Sequence, residues 1–251
     1  MNSLGNSLLA FWNSSIGKKI VVALTGAALV LFLLGHMVGN LLMYAGREAI
    51  NDYAEFLKHF GHGAGIWVAR IGLLVAFFLH IFATVALVRQ NRAARSTRYA
   101  HEETVQAPRS SRIMIWSGLT VLAFVVFHIL HFTVRVDPEL AKMMDPDDPS
   151  RHDVYGMVVQ GFKNPLVVLF YLVGITLLCS HLSHGIASAF QTLGLRSIKV
   201  RGAERIVGLA ISVVLWLGFL SIPFSAITGL VGGEKAGAPH ASVVTLEDAA
   251  Q

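Results

Sequence analysis

The residues of this sequence with the clearest capacity for chemistry are its histidines. Six of the 11 lie inside long apolar stretches: His36, His80, His128, His131, His181 and His184. An imidazole in hydrocarbon is costly unless it is bonded, so a histidine within a membrane segment indicates a function by default. A single one is commonly a hydrogen bond between helices. Four successive stretches each carry at least one, which favours a shared ligand.

The histidines fall at two depths, because an α-helix rises about 1.5 Å per residue. His36 and His128 lie roughly 25 Å beyond the basic residues that precede their stretches, close to the outer side. His80 and His181 lie nearer to the basic residues that follow theirs, in the inner half. We therefore predict an outer pair, His36 with His128, and an inner pair, His80 with His181.

Two stretches carry a second histidine three residues further on, His131 after His128 and His184 after His181. This spacing puts both members on one broad helix face, so either could be the ligand. The depth match favours His128 and His181. His131 and His184, together with Arg70 near the start of the second stretch, are candidates for contacts with haem propionates or with neighbouring helices.

Two histidines at one depth suit a b-type haem, whose iron takes two neutral imidazole nitrogens as axial ligands. Zinc or non-haem iron would require three or four ligands, including a carboxylate or thiolate. The apolar interiors contain no Asp or Glu, and the single cysteine, Cys179, is only a sequence neighbour of the candidate ligands. The sequence thus predicts two haems b, with iron bound by the four histidines of the two pairs.

The composition requires a membrane around these sites. The chain has 251 residues, 54% hydrophobic and 14% charged, with a mean hydropathy of +0.61, beyond what a water-soluble domain carries. Stretches of about 20 apolar residues can cross a hydrocarbon core of roughly 30 Å. We predict an all-α integral membrane bundle of five transmembrane helices with two haems in a four-helix core. The spans are expected near 20–44, 66–88, 113–134, 165–190 and 206–230, in a domain covering 1–232 that is followed by a polar tail, 233–251.

The net charge of +5 comes from basic residues in short segments between the apolar stretches, a pattern typical of membrane orientation and not of nucleic-acid binding. Segments 18–19, 89–112 and 196–205 share one side if there are five crossings. The positive-inside rule predicts that this side is the cytoplasm, with the N-terminus inside and the C-terminus outside. The acidic segment 137–153 and a short loop containing residues 51–62 then lie outside. The N-terminal residues show no cleavage pattern of a removable signal peptide.

Five strings carry a resemblance to a known family: LFLLGHMVGNLL, NDYAEFL, FFLHI, FVVFHILHF and CSHLSHGIASAFQTLG. Together they make the chain, from about residue 17 to 230, similar to the cytochrome b membrane-anchor subunit of succinate dehydrogenases and fumarate reductases. The resemblance is to the kind with a single five-helix subunit and two haems. The ligands of that family fall on His36, His80, His128 and His181, in the pairs given above.

The resemblance implies a complex in a prokaryotic cytoplasmic membrane. A flavoprotein subunit containing FAD would interconvert succinate and fumarate, and a subunit with iron–sulfur clusters would relay electrons. This chain would anchor both and exchange electrons with a membrane quinone, menaquinone being favoured. The inner haem would receive electrons first. The basic segments 89–112 and 196–205 would either dock the iron–sulfur subunit or serve as orientation signals alone. The reaction direction and any higher oligomer stay open.

Relatives place polar groups for the quinone near the outer ends of helices. This region contains Asn40, Tyr53, Glu55, His59, His62 and Trp67. Glu55 or a loop histidine could pass protons to a quinone, since that transfer needs a titratable group within hydrogen-bond reach. An ordinary wet loop is the alternative. Some relatives carry an acidic residue near the fourth ligand, where this sequence has Cys179 and Ser180, which leaves a proton path through that helix in doubt.

Two other functions compete with this interpretation. The membrane cytochrome of a hydrogenase or formate dehydrogenase also uses histidines within the membrane, but the strings and the alternation of ligands along four helices disfavour it. A transporter with a histidine relay would be expected to carry further buried acidic or lysine side chains and broken helices, which are largely absent from this sequence.

Overall fold

The computed structural model describes residues 3–94, 114–195 and 202–232, and these are helical with short connections. Five helices are long and apolar enough to cross a membrane, as predicted. We call them spans 1 to 5. They are Ser15–Leu41 (span 1), Ala64–Ala93 (span 2), Met114–His128 continued by the π-helical Ile129–Val134 (span 3), Pro165–Thr192 (span 4) and Ala203–Thr228 (span 5).

Local residue types explain where the spans begin and end. The Ser14 side chain accepts a hydrogen bond from Gly17 N, so span 1 begins five residues before the predicted start. Asn164 caps span 4 in the same way, and Pro165, which has no N–H to satisfy, takes the first helical position. Span 5 ends at Gly229 in the left-handed conformation that glycine adopts without strain. Span 1 continues into a 3₁₀ turn, Leu42–Ala45.

A short N-terminal helix, Ser3–Asn13, marks one end of the bundle, which we call the basal end. The Trp12 ring stacks on Phe82 of span 2 with centroids 5.5 Å apart. Gln90 donates to the carbonyl of Asn13 (3.2 Å) and accepts from Lys18 Nζ (3.1 Å). These contacts tie the start of span 1 to the end of span 2. Residues 95–113 and 196–201 of the predicted basic segments, and the predicted tail, lie outside the described residues.

The opposite end carries a folded cap formed by helices Arg47–His59, Pro138–Ala141 and Val154–Gly161 with their connections. The prediction of a loop at residues 51–62 was wrong over most of that length. Ile50, Tyr53, Ala54 and Leu57 follow the i, i+3, i+4, i+7 pattern of an amphipathic helix, and all four are buried or half-buried. Helix Arg47–His59 packs against Val154–Gly161, so the segments after spans 1 and 3 lie at the same end of the bundle.

A buried polar side chain, Asn51, joins the two halves of the cap. It is 1% exposed, and its Nδ2 donates to Asp145 (2.8 Å) and Asp153 (3.1 Å) while its Oδ1 accepts from the backbone N–H of Tyr155 (3.0 Å). Arg47 forms an ion pair with Asp153. Every polar atom of the Asn51 amide therefore has a partner, as a buried amide requires.

Arg151 completes this network from the rim of the cap. It donates to Asp145 (2.8 Å) and Glu48 (2.8 Å) and pairs with Asp52. Burial alone would raise the pKa of Asp145, but hydrogen bonds from Asn51, the Asp147 backbone and Arg151, with the Arg151 charge, lower it overall. Asp145 is thus held as a carboxylate although it is buried.

Span 4 lies at the centre of the helix packing and contacts spans 1, 3 and 5, while span 1 also contacts spans 2 and 5. Small residues allow close approach at these contacts, as is usual between membrane helices. Gly174 lies under the ring of Phe124, and a Cβ at Gly208 would meet Ser183 O at 2.8 Å. Spans 2 and 3 turn large side chains such as Phe78 and Trp116 outward, where lipid would cover them.

Candidate functional site

His80 of span 2 lies against span 1 in the basal half of the bundle. Its Nδ1 is 3.1 Å from the carbonyl oxygen of Val22 and 3.2 Å from Thr25 Oγ1. A carbonyl can only accept, so Nδ1 carries the hydrogen and Nε2 has the free lone pair. Gly26 makes the approach feasible, since a Cβ there would be 3.2 Å from the His80 ring.

His181 of span 4 is held in the same tautomer by span 3. Its Nδ1 is 3.1 Å from Ser117 Oγ, and Ser117 donates its own hydrogen to Met114 O (3.0 Å). The serine oxygen therefore accepts from Nδ1–H, which leaves Nε2 of His181 with a lone pair. His80 and His181 both lie in the basal halves of their spans. We call this group the basal layer.

His36 of span 1 and His128 of span 3 form a second pair, toward the cap. Their ring centroids are 5.9 Å apart, with the planes at 80°. The His36 ring is stacked on Phe32 at 5.2 Å and has no hydrogen bond to any residue that the structure describes. His128 Nδ1 is 3.2 Å from the hydroxyl of Tyr171 in span 4. We call this group the cap layer.

The two layers are separated by the same helical distance on two different spans. Thr25, which contacts His80, and His36 are eleven residues apart on span 1, and Ser117 and His128 are eleven apart on span 3. Eleven residues make close to three turns, so each pair shares a helix face and is displaced by about 16 Å. This register places one histidine pair about 16 Å below the other, about half of a hydrocarbon core of roughly 30 Å.

His131 and His184, each three residues after a histidine of the two layers, have other contacts. His131, in the π-helical segment, has Nδ1 3.0 Å from the Tyr171 hydroxyl and packs on Phe132 with centroids 4.1 Å apart. His184 Nδ1 donates to the carbonyl of Ser180 on its own helix (3.0 Å). The His128 ring lies beside that of His36, and His80 and His181 each lie in the basal half of their span. Their role as ligands stays a prediction.

Arg70 and the predicted quinone region do not share one cluster of contacts. The Arg70 guanidinium lies over the ring of Trp67 at 5.2 Å, and both residues are exposed. Asn40 donates to the carbonyl of His36 on its own helix (2.8 Å). Tyr53 packs tightly against Gly39, where a Cβ would meet its ring at 2.6 Å.

The remaining members of that region lie on the cap surface. Glu55 accepts from Lys58 at 3.3 Å and lies 3.2 Å from His59, both within its own helix. His62 is an exposed turn residue with a left-handed backbone, φ 59°. These contacts are those of a wet helix surface, and the choice of a quinone contact among these residues stays a prediction.

Sequence reasoning missed the side chains that orient the imidazoles, namely Thr25, Ser117 and Tyr171. A signal for the first two was present in the eleven-residue spacing to His36 and His128, which places them on the helix faces that carry those two histidines. Tyr171 precedes His181 by ten residues, nearly the same register. The spacing has meaning only once the rotation of each helix is known.

The donor set fits a haem with two axial histidines. Nδ1 of His80 and His181 is occupied by protein partners, which fixes the tautomer that ligating imidazoles require. Metal–nitrogen bonds of about 2 Å on both sides of an iron separate two imidazole centroids by roughly 6 Å, close to the 5.9 Å between His36 and His128. Phe32 and Phe219 supply apolar surface beside His36, as a macrocycle in lipid needs.

We compared the chain with protein-family models, with curated proteins and with solved structures, and none of the three comparisons finds a match. The family resemblance therefore depends on the sequence strings around the histidines.

Proposed function

We propose that this chain is the membrane-anchor cytochrome b subunit of a succinate:quinone oxidoreductase. In this role it carries electrons between an iron–sulfur subunit and membrane quinone through two haems b with axial histidines. The observation that carries the proposal is the arrangement of four imidazoles in two layers about 16 Å apart, contributed by four successive spans.

In the proposal, His36 and His128 hold the outer haem, and His80 and His181 hold the inner one. Each haem, when bound, supplies reversible one-electron transfer at its iron. The protein contributes orientation: Val22 and Ser117 accept from the Nδ1 atoms of the basal histidines, so Nε2 is presented to the metal. Iron held by two histidines would have no position open to oxygen.

The proposed orientation puts the basal end in the cytoplasm, since the basic segments follow span 2 and precede span 5. The iron–sulfur and flavoprotein subunits would dock there, next to the inner haem. The cap would lie outside, and a quinone, with menaquinone favoured, would approach the outer haem from the region of Asn40, Tyr53 and Trp67. Glu55 or a loop histidine, His59 or His62, would pass protons to the quinone on that side.

Purification of the chain from membranes, with pyridine haemochrome analysis, tests this proposal. We expect two haems b per chain and a low-spin, six-coordinate spectrum. His36→Ala and His128→Ala should each reduce the content to one haem, because each removes one axial ligand of the same iron. His131→Ala is the matched control, and the chain should then keep both haems.

The electron donor distinguishes this function from its rivals. In membranes containing the whole complex, succinate should reduce the haems. Reduction by hydrogen or formate but not by succinate would replace the proposal with a hydrogenase or formate dehydrogenase cytochrome. A colourless protein would remove the cytochrome function altogether and favour a transporter.

A further inference from the structure

The phenol of Tyr171 lies between two imidazoles. Its hydroxyl is 3.2 Å from His128 Nδ1 and 3.0 Å from His131 Nδ1, and the side chain is 3% exposed. Both histidines belong to span 3 and the tyrosine to span 4, so this contact joins two helices. The switch from α-helix to π-helix directly after His128 widens the turn that brings both rings to one hydroxyl.

The surroundings of the phenol are aromatic. The ring of Phe162 contacts it edge-on at 4.8 Å, and that of Phe124 does so at 5.4 Å. Gly174, one turn further along span 4, makes room for Phe124. In apolar surroundings a lost hydrogen bond is not replaced by water, so the two imidazole contacts determine the direction of the hydroxyl.

The number of hydrogens that Tyr171, His128 and His131 can donate restricts how these three side chains bond to one another. A neutral imidazole has one N–H, and a phenol has one hydrogen to donate and lone pairs to accept with. If His128 received the phenol hydrogen at Nδ1, its own hydrogen would be on Nε2, and that nitrogen could not bind a metal. If His128 donates from Nδ1 instead, Nε2 is free and the phenol hydrogen is directed to His131.

We propose that Tyr171 is a positioning residue for the outer haem, selecting the metal-binding tautomer of His128 and passing its own hydrogen bond to His131. This inference rests on the proposed function. It gives His131 a role distinct from that of a ligand, because His131 acts on His128 through the phenol. The tyrosine does for His128 what Ser117 does for His181.

Replacement of Tyr171 by Phe in the purified chain tests the inference. We expect haemin titration of the haem-depleted protein to show a 10- to 100-fold loss of affinity at the cap-layer site, the usual effect of removing a partner of a ligating histidine. The low-spin EPR signal of that haem should shift, and its midpoint potential should change. The basal-layer haem should keep its spectrum, which also verifies folding.

Tyr155→Phe is the matched control. Tyr155 is another buried phenol, 5% exposed, and its hydroxyl accepts from the backbone N–H of Gly232 (2.8 Å) and not from an imidazole. This variant should bind both haems like the unmodified chain. His131→Ala removes the acceptor of the phenol hydrogen, so it should retain both haems but shift the same EPR signal as Tyr171→Phe, by less.

Three outcomes decide the matter. Unchanged affinity, EPR signal and potential at the outer haem of Tyr171→Phe would overturn the inference while leaving the proposed function intact. If Tyr171→Phe loses both haems, the His131→Ala variant provides the test instead. An unshifted EPR signal of the outer haem in His131→Ala would then overturn the inference. An unmodified chain that binds no haem would overturn the proposed function, and this inference with it.

Discussion

The hydroxyl of Ser117 accepts a hydrogen bond from Nδ1 of His181 at 3.1 Å while donating to the carbonyl of Met114 at 3.0 Å. Because the serine hydrogen is already committed to its own helix, its oxygen can only accept from the imidazole. Span 3 thereby determines which nitrogen of a span 4 histidine is available to a ligand.

Ser117→Ala should weaken the inner haem selectively. Without the serine oxygen, Nδ1–H of His181 has lost its hydrogen-bond acceptor, and the tautomer of the ring is no longer fixed. We therefore expect 10- to 100-fold lower haem affinity at the basal layer. Haemin titration of haem-depleted protein measures this affinity. Ser221→Ala is the control, since Ser221 also donates to a carbonyl three residues earlier, Gly218 O, but has no hydrogen bond to an imidazole among the described residues. Equal effects of both changes would contradict the assigned role.

Asn51→Leu should destabilise the cap. The change removes an amide that serves Asp145, Asp153 and the Tyr155 N–H, and each buried polar group left unpaired costs about 1–3 kcal/mol. We expect a lower thermal midpoint in detergent and faster proteolysis within residues 137–153. Asp52→Asn is the control: Asp52 is 65% exposed, and exposed ion pairs contribute about 1 kcal/mol or less. An equally low thermal midpoint for Asp52→Asn and Asn51→Leu would contradict the conclusion that the buried hydrogen bonds of Asn51 stabilise the cap.

Acid should weaken the cap through Asp145. Its pKa is lower in the folded protein than the ordinary 3.8, despite burial, because Asn51, Asp147 N–H and Arg151 bond the carboxylate. A lowered folded pKa stabilises the fold above the unfolded pKa, and this contribution is lost as pH falls through the folded value. The thermal midpoint should therefore decrease when the pH is lowered below about 4. The Asp145→Asn variant should be less stable near neutral pH, and its thermal midpoint should decrease less on acidification. Parallel curves of thermal midpoint against pH for the variant and the unmodified chain would contradict this.

Cysteine labelling of intact cells should establish the orientation. Lys58 is exposed on the cap, with its side chain 63% accessible, and Arg92 is exposed at the basal end. A membrane-impermeant maleimide should modify Lys58→Cys directly and Arg92→Cys only after permeabilisation. The unmodified chain gives the background, because its single cysteine, Cys179, is buried. The opposite labelling pattern would invert the proposed topology.

Composition and length sufficed to predict the five spans, because an apolar segment of about 20 residues in lipid satisfies its backbone only as a helix. The span ends were harder to predict. Lys18 and Lys19 lie within the first turns of span 1, and span 2 continues to Ala93, because helices extend beyond the hydrocarbon where hydropathy falls. The helix Arg47–His59 was missed because polar residues such as Asn51 and Asp52 concealed its narrow apolar face.

The depth of a histidine depends only on residue count along a helix, so the sequence alone was enough to predict which half of its span each histidine occupies. The partners of those rings could not be predicted in the same way. Tyr171 contacts His128 across 43 residues of sequence, and Asn51 contacts Asp145 across 94. Such contacts depend on helix rotation and on packing between distant segments, neither of which residue spacing reveals.

The register between Thr25 and His36 constrains how this chain can vary. One residue inserted between them would rotate the His36 imidazole by about 100° relative to the basal contacts of span 1, turning it away from its counterpart on span 3. Changes of length are therefore not tolerable along these three turns. A homologue with little sequence in common should still preserve the count of eleven on both spans.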